Sequence, residues 1–570
     1  MQIFSFSPFG YEGSLVSVEV DLRRGIPAVD IVGLADGAVK ESRERMRSAI
    51  RNSGYDFPPE RVLISLSPAD LKKEGAGFDL AVALAVLNAK DQLDEKEEAF
   101  SCGADNDKTD VQETDGGAFA EGDSLEIQSD SKWKAPFISP NGDDVLVMGE
   151  LELNGKVRPV RGIHAAVSTA QSSGIRLCIV PSANSDEARE VPGMKVFGAE
   201  NLTEAFESLN NSKSFTSKED FEKSGKTNIG LEKNGIPDGS YEIDGVLFGP
   251  VEEGYEYSEV HGQKFLIRGL QIAASGGHNL MAYGPPGCGK TLALQRFQAL
   301  LPLLTLEESQ PVTRIYSIAG LLQSGESAVR TPPFRMPHQT ATIEGMCGGG
   351  THLTPGEISL AHNGVLFLDE AAEFRTSVLQ MLRVPLESGA VTLSRAGRTS
   401  VFPAQFQLLM ATNPCPCGYY GSSEKVCLCS AHSVEQYWKK FSAPLLDRID
   451  IRIHAEHIVE KNKSEESIVS TSELRKEIAK AVSIQRKRQG KKNVRLTPTE
   501  IAEYCHTTDE AHAILESSSE HYGFSPRAVN GCIKLARTIA DMCGLDVIDG
   551  RSMEEAVKYR KSEGGLEIGM

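Results

Sequence analysis

GPPGCGKT, residues 284–291, and GVLFLDE, residues 364–370, decide the fold of this 570-residue chain. The first stretch has the pattern G-x-x-x-x-G-K-[ST], in which the backbone amides of a glycine-rich turn surround nucleotide phosphates. The preceding NLMAYG, residues 279–284, is apolar enough for a buried strand, and LALQRFQALL, residues 292–301, has helical spacing. The sequence therefore predicts an α/β nucleotide-binding unit built from strand, phosphate loop and helix.

The loop supplies most of the predicted nucleotide ligands. Lys290 provides positive charge, and the Thr291 hydroxyl is a candidate ligand for Mg²⁺. Cys288 fits better as a small loop residue than as a reactive thiol. The predicted nucleotide-binding residues are Gly284, Pro285, Pro286, Gly287, Cys288, Gly289, Lys290, Thr291, Leu292 and Asp369.

Two acids end the second stretch. Residues 365–368 read VLFL, an apolar run typical of a buried parallel strand, and ligands of open α/β sheets gather beyond the carboxyl ends of such strands. We predict that Asp369 binds Mg²⁺ together with Thr291, and that Glu370 polarises the attacking water. A pair of acids after a strand can also be a solvated turn, but the phosphate loop favours the catalytic interpretation.

Composition sets the outer limits. The length predicts about three or four domains, and the apolar and charged fractions are those of a globular protein. The sequence shows neither a membrane-spanning stretch nor a signal segment, and eleven cysteines in so long a chain do not indicate a disulfide scaffold. We therefore expect a cytoplasmic protein and ATP as the nucleotide, with Mg²⁺ as cofactor.

The formal charge of −19 is unevenly distributed. Residues 91–144 contain sixteen acidic and four basic residues in a low-complexity stretch, which predicts a disordered acidic insertion. A second polar segment, residues 210–240, predicts an interdomain linker. Because most of the excess negative charge lies in the insertion, the overall charge does not exclude DNA as a partner.

The first 209 residues predict an α+β domain that the insertion interrupts. SLVSVEVDLRRGIPAVDIVGL, residues 14–34, alternates as paired strands do, and residues 38–54 have helical spacing. After the insertion, VLVMGELELNGKVRPVRG predicts a hairpin that turns at Asn154 and Gly155. This domain contains no evident chemistry of its own.

Several long phrases resemble the YifB/ComM family of magnesium chelatase subunit ChlI-like AAA+ proteins. The resemblance covers nearly all of the chain except the insertion and the linker. The phrases that carry it are IVGLADGAVKESRERMRSAIRNSG (31–54), SPADLKKEGAGFDLAVAL (67–84), PGEISLAHNGVLFLDE (355–370), ATNPCPCGYYG (411–421), APLLDRID (443–450) and LARTIAD (535–541).

The resemblance implies three folded parts. The first is a Lon protease-like domain of the ribosomal S5-like type over residues 1–209, followed by the linker. The second is an AAA+ P-loop NTPase module over residues 241–460, and the third is a C-terminal helical lid over residues 461–570.

The resemblance also assigns roles to three residues beyond the two motifs. Asn413 matches the sensor 1 position, Arg448 the arginine finger that acts on a neighbouring subunit, and Arg527 the sensor 2 position. An arginine finger implies a ring, and the family implies a hexamer. Asn413 could instead be a turn former, and Arg448, flanked by two aspartates, could make a structural salt bridge.

Four cysteines follow the sensor position closely. Cys415, Cys417, Cys427 and Cys429 could bind a structural Zn²⁺ ion as thiolates, with His432 as a substitute ligand. The C-x-C spacing is less typical of zinc than C-x-x-C. Free reduced thiols therefore remain the alternative.

Two further segments are candidates for substrate contact. In this family and its chelatase relatives, the insertion between the loop and the acids is expected to face the ring centre, and Gly348, Gly349 and Gly350 suggest a flexible part of it. LESGAVTLSRAGRTSVFPAQF predicts a hairpin carrying Arg395 and Arg398, a suitable place for contacts with a phosphate backbone. Exposed arginines on a hairpin are also common without DNA.

Three functions from different classes follow. The resemblance implies first an ATP-dependent hexameric branch-migration helicase that acts on branched or single-stranded DNA in recombination and natural transformation. The alternative is a chelatase-type ATPase that remodels a protein partner for metal insertion. An ATP-dependent protease is less favoured, because the positions that match the serine–lysine dyad read Ala76–Gly77 and Ile163–His164.

Overall fold

A computed structural model shows how these segments are arranged. The described part of the chain divides into two units, one drawn from residues 1–229 and the other from residues 230–570. The structure describes residues 2–34, 36–69, 71, 73, 75–102, 144–212, 235–322, 328–395, 398–421, 425–455 and 469–561. Most of the predicted acidic insertion and of the predicted linker lies outside these residues.

In its described residues, the first unit combines nine strands with five helices. Its strands are β1 (Ile3–Ser7), β2 (Ser14–Arg23), β3 (Val29–Val32), β4 (Arg61–Ser67), β5 (Val145–Val147), β6 (Glu150–Leu151), β7 (Val157–Arg158), β8 (Leu177–Pro181) and β9 (Lys195–Ala199). Its helices are α1 (Gly37–Asn52), α2 (Asp79–Cys102), α3 (Ile163–Ser172), α4 (Ser185–Arg189) and α5 (Leu202–Ser212). Helix α2 extends beyond Asp91, where the sequence predicted that the insertion begins.

Seven of these strands form a mixed sheet in the order β3-β4-β2-β1-β5-β8-β9. Strands β2 and β3 do not pair with each other, although their alternating pattern suggested it. Strand β4 lies between them, antiparallel to β2 and parallel to β3. The alternation shows that each strand has one buried face, but it does not identify the neighbour. The predicted hairpin is confirmed as β6 and β7, with Gly155 at a φ of +86° in the turn.

The second unit contains the phosphate loop and both acids. Its strands are β10 (Tyr241–Ile243), β11 (Val246–Phe248), β12 (Leu280–Tyr283), β13 (Phe334–Arg335), β14 (Gly348–Gly349), β15 (Thr354–Pro355), β16 (Val365–Leu368), β17 (Ala390–Arg395), β18 (Arg398–Pro403), β19 (Gln407–Thr412) and β20 (Ile451–His454).

Fourteen helices in the described residues of this unit surround those strands. They are α6 (Lys264–Gly276), α7 (Lys290–Gln295), α8 (Leu306–Ala319), α9 (Ile343–Cys347), α10 (Glu357–Leu360), α11 (Thr376–Met381), α12 (Pro385–Ser388), α13 (Ala431–Trp438), α14 (Ala443–Leu446), α15 (Thr471–Gln489), α16 (Pro498–Tyr504), α17 (Asp509–Tyr522), α18 (Pro526–Cys543) and α19 (Gly550–Arg560).

The central sheet of the second unit is parallel throughout, in the order β13-β16-β19-β12-β20. Every residue of β12, β16 and β19 is buried, which explains their uninterrupted apolar sequences. Because parallel strands end at the same edge, the phosphate loop after β12, the acids after β16 and Asn413 after β19 lie at one edge of the sheet.

The C-terminal helices share the core of this sheet. Apolar residues of α15, α18 and α19 belong to the same buried cluster as β12 and β20. Ser525 caps the N-terminus of α18, where its hydroxyl accepts a hydrogen bond from the backbone amide of Ala528, and Gly544 caps the C-terminus. None of the helices in the described parts of the chain has the length and apolar content needed to cross a bilayer.

Two local features differ from the expectation. The helix after the phosphate loop is short, because α7 ends at Gln295 and tightens into a 3₁₀ turn over Arg296–Leu300. The glycines of residues 348–350 are not simply a flexible loop. Gly348 and Gly349 pair with β15, and a β-carbon on Gly348 would lie 2.3 Å from the carbonyl oxygen of Thr354.

Candidate functional site

Three glycines determine the shape of the phosphate loop, two through their backbone angles and one through close packing. Gly287 and Gly289 have φ angles of +80° and +87°, a region that residues with side chains rarely adopt. Gly284 is required by packing, since a β-carbon there would lie 2.1 Å from the carbonyl oxygen of Ala455, just after β20. The loop is therefore held by the neighbouring strand as well as by its own turns.

Lys290 is buried within the phosphate loop, with 7% of its surface exposed. Its Nζ donates to the carbonyl oxygens of Gly284 and Pro285, each at 2.7 Å, and lies 3.5 Å from Cys288 Sγ. Burial lowers the pKa of Lys290, and nearby Cys288 and Asp369 oppose this shift. The ammonium group therefore sits inside the turn where phosphate oxygens are expected.

Thr291 and Asp369 meet as the sequence predicted, although they lie 78 positions apart. The Thr291 hydroxyl donates to Asp369 Oδ1 at 3.1 Å. A hydroxyl and a carboxylate at the edge of a phosphate site are the oxygen ligands that Mg²⁺ takes alongside water and phosphates. These two residues therefore fit a magnesium ion, which they would hold at the edge of the phosphate loop.

Glu370 adopts a backbone conformation unusual for its residue type. Its φ and ψ are +48° and +46°, in the left-handed region, and its side chain is exposed. Its backbone amide donates to Asp369 Oδ1 at 2.9 Å. Left-handed non-glycine residues are often found at functional sites, where the strain is offset by the surrounding structure. The turn directs the two adjacent acids differently, one toward Thr291 and the other into solvent.

The loop, both acids and the sensor asparagine line one cleft of about 370 Å³. Asn413 directly follows β19, at the strand end that the sequence predicted, and it is half-buried there. The residues that line the cleft are Pro286, Gly287, Gly289, Lys290, Thr291, Leu292, Asp369, Glu370, Ala411, Thr412 and Asn413.

Arg448 and Arg527 are not among the residues that line this cleft. They lie together elsewhere in the same unit, and Glu387 of α12 joins them. Arg448 Nη2 donates to Glu387 Oε2, and Arg527 Nη1 lies 3.5 Å from Oε1 of the same carboxylate. The arginine pair lowers the pKa of Glu387, chiefly through the hydrogen bond from Arg448.

Asp447 anchors the backbone just before Arg448. Its carboxylate accepts hydrogen bonds from the Ser525 hydroxyl at 3.1 and 3.2 Å and from Arg560 Nη2 at 3.0 Å. Arg560 is 3% exposed and also donates to the Asp447 carbonyl oxygen at 2.9 Å. The segment that carries Arg448 is therefore attached to both α18 and α19.

The four predicted cysteines form one cluster. Their Sγ atoms lie within 4.8 Å of one another, and Cys415 Sγ is 3.3 Å from that of Cys417 and 3.7 Å from that of Cys427. A tetrahedral Zn²⁺ site with bonds of about 2.3 Å has sulfur–sulfur edges of about 3.8 Å, so the cluster fits this ion. A β-carbon on Gly418 would meet Pro286 Cδ at 2.8 Å, so the cysteine loop also packs against the phosphate loop.

Sequence reasoning missed two residues near these sites. Gln263 Nε2 donates to the Cys288 carbonyl oxygen at 2.9 Å and supports the loop from the segment before α6. Glu387 had no motif to identify it, since it is one exposed glutamate among many. Only the folded chain brings it next to Arg448, which lies 61 positions later in the sequence.

Comparison with known families agrees with this arrangement. Residues 256–463 match the family described as Magnesium chelatase, subunit ChlI, and residues 469–560 match its C-terminal part. Residues 18–116 and 134–184 match a third family, Subunit ChlI of Mg-chelatase. These families support an AAA+ ATPase, which implies ATP and Mg²⁺ as ligands.

Individual relatives match over almost the whole chain. The protein is 35% identical to YifB of Escherichia coli strain K12, covering 97% of this chain and 95% of YifB. It is 33% identical to competence protein ComM of Haemophilus influenzae, covering 98% of this chain and 97% of ComM. The magnesium-chelatase 38 kDa subunit of Cereibacter sphaeroides is 23% identical, over 29% of this chain and 54% of that protein. The chain therefore belongs to the YifB/ComM family of magnesium chelatase ChlI-like proteins.

Proposed function

We propose that this protein is an ATP hydrolase that works as a hexameric AAA+ ring on DNA, as a branch-migration helicase of the ComM type in recombination and natural transformation. The observation that carries the ATPase part is one cleft that unites Lys290, Thr291, Asp369, Glu370 and Asn413. We also propose that the protein is located in the cytoplasm. The DNA part draws on the competence relative, which matches over nearly its full length.

The phosphate loop, the two acids and Asn413 have separate proposed roles in ATP hydrolysis. The loop amides and Lys290 bind the phosphates, and Thr291 with Asp369 would hold Mg²⁺. When bound, Mg²⁺ neutralises charge on the phosphate oxygens. Glu370 accepts a proton from the water that attacks the γ-phosphorus, while the Asn413 amide orients that water. The bond from the γ-phosphorus to the bridging oxygen then breaks, which releases ADP and phosphate.

The positions of the arginines support a ring. Arg448 is not among the residues that line the cleft of its own chain, which supports its action on the γ-phosphate of ATP held by another copy. Arg527 stands at the N-terminal turn of α18 and acts as sensor 2. In this proposal α15–α19 form the lid, within residues 461–570, and residues 1–209 form the Lon protease-like domain without its serine–lysine dyad.

The β17–β18 hairpin is the proposed DNA contact. Its register pairs Arg395 with Arg398, so both arginines stand at the hairpin end. Arg395 is exposed, and the residues between the two lie outside the described part of the chain. Guanidinium groups at such a tip can bind backbone phosphates without reading sequence.

Purified protein with ATP and Mg²⁺ should move a branched DNA junction. Binding should weaken as salt rises, because phosphate contacts release counterions. Arg395→Ala should weaken DNA binding across sequences and reduce the magnitude of the salt slope by about 1. The measurements are junction conversion on a gel and affinity at several salt concentrations, with Arg551→Ala on α19 as an exposed-arginine control. If DNA neither binds nor stimulates ATP hydrolysis at low salt, the DNA proposal is rejected.

A chelatase-type ATPase is the second candidate. It is favoured by the match of residues 256–463 to the magnesium chelatase family. However, the magnesium-chelatase 38 kDa subunit matches only 29% of this chain. The full-length similarity to the competence protein ComM makes the DNA motor the better supported proposal.

The cysteine cluster is proposed to bind one structural Zn²⁺ ion. Its four Sγ atoms have the spacing that a tetrahedral site needs, and Cys415 is fully buried. When bound, the ion would cross-link a short loop whose described residues form neither helix nor strand. Through Gly418, a fixed loop would also restrain Pro286 at the rim of the nucleotide cleft.

Metal analysis should find about one zinc ion per chain in protein purified without chelator. A Cys427→Ser/Cys429→Ser variant should contain none, because two thiolates alone bind zinc weakly. Cys543→Ser is the matched control, since Cys543 is exposed and lies outside the cluster. Absence of zinc from the unmodified protein, or its retention in the double variant, would contradict the assignment.

A further inference from the structure

Glu387 contacts both Arg448 and Arg527, the two arginines that do not line the nucleotide cleft. It lies on α12, immediately before the β17–β18 hairpin, and its side chain is 61% exposed. One carboxylate oxygen accepts from Arg448 and the other lies 3.5 Å from Arg527. A single acid therefore contacts one Nη atom of each guanidinium group, atoms that could otherwise donate to phosphate oxygens.

Arg448 retains hydrogen-bonding capacity in this arrangement. Its side chain is 9% exposed, and one Nη atom donates to the Pro444 carbonyl oxygen while the other donates to Glu387. Its Nε is buried and has no hydrogen-bond partner among the described residues. A buried donor without a partner is unfavourable, so an acceptor with more oxygens than a carboxylate would satisfy this guanidinium better.

We propose that Glu387 is a positioning residue that holds Arg448 and Arg527 in the single chain and releases them to the phosphate of ATP bound by an adjacent copy. The proposal rests on the ATP-hydrolysing ring proposed above. Carboxylate and phosphate oxygens suit the same guanidinium fork, and the phosphate carries more negative charge. Because Glu387 is exposed, water replaces the lost contacts and the exchange costs little.

This exchange has a consequence for ATP dependence. While Glu387 holds the arginines, only a fraction of chains is ready to complete a neighbour's site. The apparent affinity of the assembled site for ATP is reduced by that fraction. Once the arginines have moved, Glu387 no longer contacts the reacting groups, so the chemical step should not depend on it.

Glu387→Gln should therefore lower both the KM for ATP and the ATP concentration for half-maximal assembly, by about 3- to 10-fold. The kcat should stay within about 2-fold, since the glutamine removes only the competing charge. Steady-state kinetics and analytical ultracentrifugation with ATP measure these values. Glu307→Gln is the matched control, an exposed glutamate of the same unit in α8 that makes the same charge change away from the arginines.

A second variant pair tests whether the effect acts through Arg448. In an Arg448→Ala background, with assembly followed in a non-hydrolysable ATP analogue, Glu387→Gln should shift the midpoint by less than about 2-fold. Equal behaviour of Glu387→Gln and Glu307→Gln, a raised KM, or a full shift without Arg448 would each overturn the role of Glu387. If the unmodified protein does not hydrolyse ATP at all, the proposed function fails instead.

Discussion

Glu370→Gln should bind ATP as tightly as the unmodified protein and hydrolyse it at least about 100-fold more slowly. The substitution keeps the size of the side chain but removes the carboxylate that accepts the proton from water. Lys290, Thr291 and Asp369 remain, so the phosphate contacts and the magnesium ligands are preserved. Single-turnover hydrolysis and equilibrium binding of ATP measure the two effects separately.

Glu373→Gln is the control for this variant. Glu373 is exposed and follows Glu370 by three positions, so the same charge is lost nearby without touching the predicted water. Its hydrolysis should remain within about 2-fold of the unmodified protein. Near-normal turnover by Glu370→Gln would remove Glu370 as the residue that activates water.

Arg448→Ala should reduce ATP hydrolysis by about 1,000-fold or more, because an arginine finger stabilises the charge of the transition state. Binding of ATP to the chain's own cleft should persist, since Arg448 does not line it. ATPase assays and nucleotide binding by fluorescence give the two readings. Arg551→Ala, an exposed arginine of α19, should behave like the unmodified protein.

Mixing the two inactive variants tests whether the site is shared. In rings of both chains, about a quarter of the interfaces combine an intact Glu370 with an intact Arg448 from the neighbour. Such mixtures should regain ATP hydrolysis, although neither variant is active alone. No recovery in verified mixed rings would place Arg448 in its own chain's mechanism and contradict the proposed ring.

The parallel core could be anticipated from sequence because its signals are local. The apolar runs of β12, β16 and β19 lead into the phosphate loop, the two acids and Asn413, and a parallel sheet collects those ends at one edge. The meeting of Thr291 with Asp369 follows from this geometry. The cysteine cluster could also be predicted from the sequence, since all four thiols lie within one short loop.

What could not be predicted depends on contacts between distant segments. The left-handed turn of Glu370 is imposed by its surroundings, since glutamate does not favour it. The need for glycine at 284 arises from Ala455, which approaches only because β20 pairs with β12. The insertion of β4 between β2 and β3 likewise depends on strand order, about which alternation contains no information.

Through Asp447, the segment that carries Arg448 is attached to the C-terminal helices α18 and α19. Separating Asp447 from Arg560 would break the 3.0 Å contact of a buried guanidinium and leave Asp450, 3.9 Å away, as its neighbouring carboxylate, so the separation is unfavourable. A rotation of α18 and α19 about the sheet therefore carries Arg448 with it. In the proposed ring, a shift of these helices would therefore move Arg448 relative to the nucleotide of the neighbouring copy.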